Sequence, residues 1–228
     1  MRRTINKIAI YGGNGFIGTH IARTLSELGA DVVCISRTGH KPLYLNNDAW
    51  SSKVKWCKGD AAQPDHDLLR TCDALICCVG SPPLPTFGRA AYERQLKSNG
   101  SSCVSAIEAA SKAGVNNLII LSAQIPWVLQ TKYFAYYVGK QQVIAAAEKF
   151  AALSDGHTAL ILKPGVVTGI RTLSSGKRLR IDWFTAPVAP IMPWQFVTVD
   201  RVAERIADAF TNQELYKGKC ITLKNKEI

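Results

Sequence analysis

The stretch KIAIYGGNGFIG, residues 7–18, constrains this chain more than any other part of it. An apolar run of strand length is followed at once by Gly12, Gly13, Gly15 and Gly18, after which the apolar pattern resumes with helical spacing in FIGTHIARTLSELG. Where a chain turns sharply from strand to helix and lets a pyrophosphate approach its backbone, a Cβ at the turn obstructs both. The helix that follows presents free N–H groups and a partial positive charge to the phosphates. GxxGxxG over Gly12, Gly15 and Gly18 therefore predicts a dinucleotide-binding turn in which Gly13, Asn14, Phe16 and Ile17 share the contact. The same glycines would also serve a tight turn with close helix packing.

Downstream, strand-length apolar runs (DVVCIS, KVKWCKGD, DALICCVG, NNLIILS, TALILKPG, KCITLK) alternate with helix-period segments such as SCVSAIEAASKAG, YFAYYVGKQQVIAAAEKFAAL and DRVAERIADAF. Such alternation predicts βαβ units and an α/β fold built on a doubly wound parallel sheet of the Rossmann kind. A length of 228 residues with 47% hydrophobic content suits one well-buried core, so a single domain is expected over 1–228. One segment departs from the rhythm. Residues 164–199 are rich in proline and carry Trp183, Phe184, Trp194 and Phe196, which predicts an irregular segment bearing a substrate or partner surface.

Gly, Pro or charge interrupts every apolar stretch before the eighteen or so residues a spanning helix needs, so the expectation is a soluble or peripheral protein. Cys34, Cys57, Cys72, Cys77, Cys78, Cys103 and Cys220 fall mostly in strand-like segments, with no CxxC pair and no His at ligand spacing. They read as small core residues in a reducing compartment, and no metal site is expected. The net charge of +11 is spread along the chain, which argues against a dedicated nucleic-acid surface and for anionic partners: a dinucleotide phosphate, an anionic lipid surface or the acidic face of an assembly. MRRTINK is basic but lacks the apolar core of a secretory signal.

An acidic residue at the end of the second strand would select NAD. Ser36 and Arg37 stand there instead, with His40 and Lys41 as reinforcement, so a 2′-phosphate and hence NADP(H) is preferred. Asp60, after the third strand, suits either an adenine amino group or the N-cap of the next helix. Gly80 closes the fourth strand and leaves room for cofactor, before Pro82 and Pro83 stiffen the exit.

Tyr136 and Lys140 lie four apart, on one face of a helix. A Lys140 ammonium would favour the Tyr136 phenolate and lower its pKa, while Ser122, ending the fifth strand, could hold a substrate oxygen. Together the three suit hydride transfer with Tyr136 as acid or base. Tyr133 and Tyr137 compete at seven and three residues from Lys140, so spacing alone does not single out Tyr136.

YGGNGFIG, SRTG, the Asn99 stretch KSNGSSCVSAIEAASKAGV, LIILSA, YYVGK, LKPGVVTG and FVTVDRVAERIADAF together resemble the atypical short-chain dehydrogenase/reductase superfamily over nearly the whole chain. GGNGFIG with SRTG, AWSSKVKWCKGD, YYVGK and KPGVVTGIR resembles the branch holding the dehydrogenase-like accessory subunit of mitochondrial complex I and the coenzyme Q biosynthesis protein of fungi and its plant relatives. The resemblance implies NADPH on a Rossmann fold, with Pro164 and Gly165 joining the cofactor contacts. It further implies the matrix side of the mitochondrial inner membrane, against a cytoplasmic alternative, a quinone-like small molecule, and a multiprotein complex as partner. Some relatives keep the nucleotide as a structural element, so both an NADP-dependent oxidoreductase and a non-catalytic NADPH-bearing subunit are expected readings. About sixty residues follow Gly165, little material for a substrate lobe enclosing a sugar nucleotide.

Overall fold

The computed structural model describes residues 6–173, 176–181 and 196–224. Trp183, Phe184, Trp194 and the start of MRRTINK lie outside the described residues. In chain order the elements are β1 (Lys7–Tyr11), α1 (Phe16–Glu27), β2 (Asp31–Ser36), β3 (Lys55–Lys58), α2 (His66–Arg70), β4 (Ala74–Cys77), α3 (Arg89–Leu96), α4 (Ser102–Lys112), β5 (Asn117–Leu121) and α5 (Ala135–Ala151). There follow β6 (Thr158–Pro164), β7 (Val166–Thr168), β8 (Ile170–Thr172), β9 (Arg178–Arg180), β10 (Phe196–Thr198), α6 (Val199–Thr211), a short helix at Gln213–Tyr216 and β11 (Cys220–Leu223).

Seven strands form one parallel sheet in the order β11-β6-β5-β4-β1-β2-β3. The order reverses between β1 and β4, the switch point at which open α/β sheets bind ligands beyond their strand ends. Period-two alternation sends neighbouring residues to opposite faces. Ile8, Ile10, Val32, Cys34 and Ile76 pack on one side with Ile21, Leu25, Val202 and Ile206 of α1 and α6. Ala9, Tyr11, Val33, Ile35 and Leu75 pack on the other with Ile107, Val143 and Phe150 of α4 and α5. The sheet is therefore covered on both faces, as its continuous apolar strands require.

One expectation needs correction. The segment 164–199 is not irregular where it is described: β7 pairs with β10, β8 pairs with β9, and Phe196 is buried rather than offered to a partner. Helix α3 was not anticipated, because RAAYERQL is too polar to show an apolar stripe and is placed by its neighbours. Cys34, Cys72, Cys77 and Cys103 are core residues as expected, whereas Cys220 is exposed on the edge strand β11.

Candidate functional site

The glycine turn leaves β1 at the switch point. Gly12 has φ +82°, donates its N–H to the Ile35 carbonyl at 2.9 Å, and accepts from Gly15 N–H at 2.9 Å. A Cβ on Gly13 would lie 2.6 Å from Cys34 Cβ, and one on Gly18 would collide with the Gly12 carbonyl oxygen. Turn and helix thus fit only without side chains. Gly15 caps α1 with no side-chain bond, and no acidic residue stands in the first turn, so the helix N-terminus is left to an anion. The Phe16 ring meets His20 edge-on, 5.8 Å between centroids, is half-buried, and comes close to Gly169, the residue before β8. Ile17 packs against the core.

The loop after β2 is tied to this turn. Asn14 Nδ2 donates to Thr38 Oγ1 at 3.0 Å, and Ser36 Oγ accepts from Gly39 N–H at 3.1 Å. Arg37 and His40 are exposed, and Lys41 is half-buried. Thr38 was not anticipated; its signal was only its place between Arg37 and Gly39. Asp60 does not cap the next helix. Its carboxylate accepts from Ala62 N–H at 3.0 Å in a local turn, while Asp65 caps α2 through Asp67 and Leu68 N–H groups. Asp65, not Asp60, follows the apolar turn at a spacing from which its side chain reaches the helix.

At the mouth of β4 and β5 the other predicted residues come together. Lys140 is buried and donates from Nζ to the Leu121 carbonyl at 3.0 Å, beside Ser122 in sequence. A Cβ on Gly80 would stand 2.9 Å from Asn99 Oδ1 and 3.6 Å from Lys140 Nζ, so the three meet at one point. Asn99 is fully buried, sits in a π-helical turn over Lys97–Ser101, donates to Ser81 Oγ at 2.8 Å and accepts from Ser81 N–H at 3.0 Å. Sequence reasoning gave Asn99 no role. Its signal was a pair of isolated glycines inside helical segments, since Gly100 and Gly139 let α5 cross within contact of the Asn99 backbone.

Tyr136 is the phenol on the Lys140 face: the ammonium lies 5.6 Å from its ring centroid. Tyr133 precedes the helix and is 78% exposed. The expected lowering of the Tyr136 pKa is overturned, because burial pushes it up to about 12. The Lys140 ammonium donates to the Leu121 carbonyl and lies over the Tyr136 ring. Burial likewise lowers the Lys140 pKa, against the pull of the Cys103, Cys77 and Cys78 thiols. Ser122 Oγ is buried with no hydrogen-bond partner among the described residues, an oxygen left for a ligand. Pro164 ends β6 with its carbonyl accepting Gln124 N–H at 2.8 Å, and Gly165 N–H reaches the Leu223 carbonyl at 3.4 Å, so both brace the sheet edge beside Ser122.

Residues 8–179 match the NAD dependent epimerase/dehydratase family. The chain belongs to that family. Among solved structures, the chain superposes on the UDP-glucuronic acid 4-epimerase from Bacillus cereus in complex with UDP-glucuronic acid and NAD. The TM-score is 0.73 at 16% identity, over 97% of this chain and 78% of that one. It also superposes on MoeE5 in complex with UDP-glucose and NAD, with TM-score 0.69 at 19% identity, over 96% and 76%. These neighbours share the fold, and those named bind NAD. Of the curated relatives, an uncharacterized chloroplastic protein of Arabidopsis thaliana is 29% identical over 191 residues, 81% of this chain and 58% of its own. MIOREX complex component 2 of Saccharomyces cerevisiae is 35% identical over 80 residues, 33% of this chain and 29% of its own. The chain thus spans less than two thirds of either relative. The cradle on this member of the epimerase/dehydratase family fits a nicotinamide dinucleotide, with glycines where a Cβ would collide, an uncapped helix N-terminus and an orphaned Ser122 hydroxyl.

Proposed function

We propose that the protein is an NADPH-binding oxidoreductase of the short-chain dehydrogenase/reductase type, acting on an apolar, quinone-like carbonyl compound in an organelle. The observation that carries the reading is the meeting of Lys140, Asn99 and Gly80 beside Ser122 and Tyr136, at the switch point next to the glycine turn. When bound, NADPH supplies the hydride. Ser122 offers a hydroxyl to the substrate oxygen, Tyr136 holds the proton that oxygen needs, and Lys140 and Asn99 fix the walls of the cleft. NADPH is preferred over NADH because Ser36 and exposed Arg37 occupy the end of β2, where a carboxylate would repel a 2′-phosphate. The organellar setting draws on the chloroplastic relative and the MIOREX component, and the matrix side of the mitochondrial inner membrane draws on the branch resemblance.

A second reading is favoured by the high pKa of Tyr136: a non-catalytic subunit of a mitochondrial respiratory or coenzyme Q assembly, in which NADPH stabilises the fold by binding. Nucleotide released from gently purified protein, followed by its oxidation with short-chain quinones, decides between them. Exchangeable NADPH whose quinone-dependent oxidation is lost in Tyr136→Phe supports the enzyme. Stoichiometric NADPH that neither exchanges nor oxidises supports the subunit, and absence of any nucleotide affinity sinks both.

A further inference from the structure

In a sheet whose strands run one way, every segment that follows a strand leaves from the same edge. The segments after β4, β5 and β6, residues 78–88, 122–134 and 165–181, carry no Asp or Glu, while Lys132, Arg171, Lys177, Arg178 and Arg180 all fall within them. These cations are exposed. The same segments hold large apolar side chains out in solvent: Phe87 is 89% exposed, Trp127 83% and Tyr133 78%, joined by Leu84, Val128 and Leu129. The Tyr92 hydroxyl donates to the Lys132 carbonyl at 2.7 Å, which holds the start of α3, just after Phe87, against the loop after β5 that carries Trp127 and Tyr133. Exposed apolar groups in such density mark a docking surface.

We propose that this edge docks on the surface of an anionic lipid bilayer, with Trp127 and Phe87 at headgroup depth and Lys132 and Arg178 against lipid phosphates. The charge pattern selects this occupant. Protein interfaces bury their apolar groups against a complementary shape, whereas a bilayer accepts protruding aromatic tips at headgroup depth with cations along the same edge and no acidic residue among them. Stable attachment needs both signals, and this edge supplies both. Docking turns the cleft at Gly80 toward the membrane, so an apolar substrate can enter from lipid. That consequence rests on the function proposed above, whereas the docking itself does not.

The test is flotation of the purified full chain with vesicles of phosphatidylcholine alone and of phosphatidylcholine mixed with phosphatidylglycerol, with NADPH affinity measured in parallel. Binding is expected to the mixed vesicles only and to weaken as salt is raised. Lys132→Gln and Arg178→Gln should each weaken it roughly five-fold. Trp127→Ala combined with Phe87→Ala should weaken it at least about ten-fold. NADPH affinity should stay at the wild-type value in all of these, since every altered side chain is exposed. Equal binding to both vesicle types, or binding that the aromatic and cationic variants leave intact, overturns the proposal. So does binding to poly-glutamate but to neither vesicle, which would assign the edge to an acidic protein partner. Because flotation reads attachment and not turnover, its failure is distinguishable from failure of the oxidoreductase reading.

Discussion

The two halves of the sheet's carboxyl edge are built in opposite ways. After β1 and β2 the chain is drawn tight: the glycine turn leaves no space for a Cβ, and Asn14 is tied to Thr38 across the cleft. After β4, β5 and β6 it is drawn out, with Phe87, Trp127 and Tyr133 exposed above a buried floor of Lys140, Asn99 and Ser122. The first half is built so that a bound nucleotide would be met largely by backbone, with no side chain in the way of a close approach. The second presents side chains and leaves room, as a site for a variable or apolar partner must.

The sharpest way to break this contrast is to add bulk to the tight half. Gly18→Val drives a side chain into the Gly12 carbonyl and should cost about 1–3 kcal/mol of stability. It should also lower NADPH affinity by two orders of magnitude or more, read by fluorescence titration and thermal melting, since it displaces the phosphate cradle; unchanged affinity would show that the turn does not face the phosphates.

Each half contains a phenol shielded from solvent, Tyr11 buried and Tyr136 half-buried, and pH tests the two together. Tyr11 and Tyr136 each have their pKa pushed from 10.0 up to about 12 by burial. A raised folded-state pKa means stability that is complete below the unfolded value and lost as pH rises through the folded one. Stability should therefore fall between pH 10 and about 12, by up to roughly 3 kcal/mol for each phenol. Tyr136→Phe should remove its share of that slope in denaturant titrations across this range. If bound NADPH draws the Lys140 ammonium toward the hydroxyl, phenolate absorbance will titrate at lower pH in the complex.

Arg37→Ala should weaken NADPH binding about ten- to a hundred-fold while leaving NADH binding and melting unchanged, because an exposed guanidinium acts only on the 2′-phosphate. Asn14→Ala removes one hydrogen bond between the two loops of the tight half and should cost about 1 kcal/mol. Smallest of all, Trp127→Ala in the open half should shift stability by no more than about 0.5 kcal/mol. A larger loss would mean that the rim is packed in solution and that the contrast between halves is false.

The sequence by itself determined what is local. Alternating apolar periods are set by which face of each strand or helix must be buried, and they placed the six strands and three helices picked out downstream of the glycine turn. The glycine turn is equally local, since its steric requirement is met within a dozen residues. Helix α3 was invisible because its polar sequence records no buried stripe. Only the tertiary structure decided what depends on one element crossing another. Three phenols stood near Lys140 in sequence, and the start of α5 after Phe134 left Tyr133 outside the helix while the ammonium came over the Tyr136 ring. That ammonium donates to the Leu121 carbonyl on β5, and burial pushes the phenol up, a balance that spacing along the helix does not record. Asn99 joined the site because a π-helical turn and two glycines bring α5 against it, a close approach between segments some forty residues apart that no short-range pattern encodes.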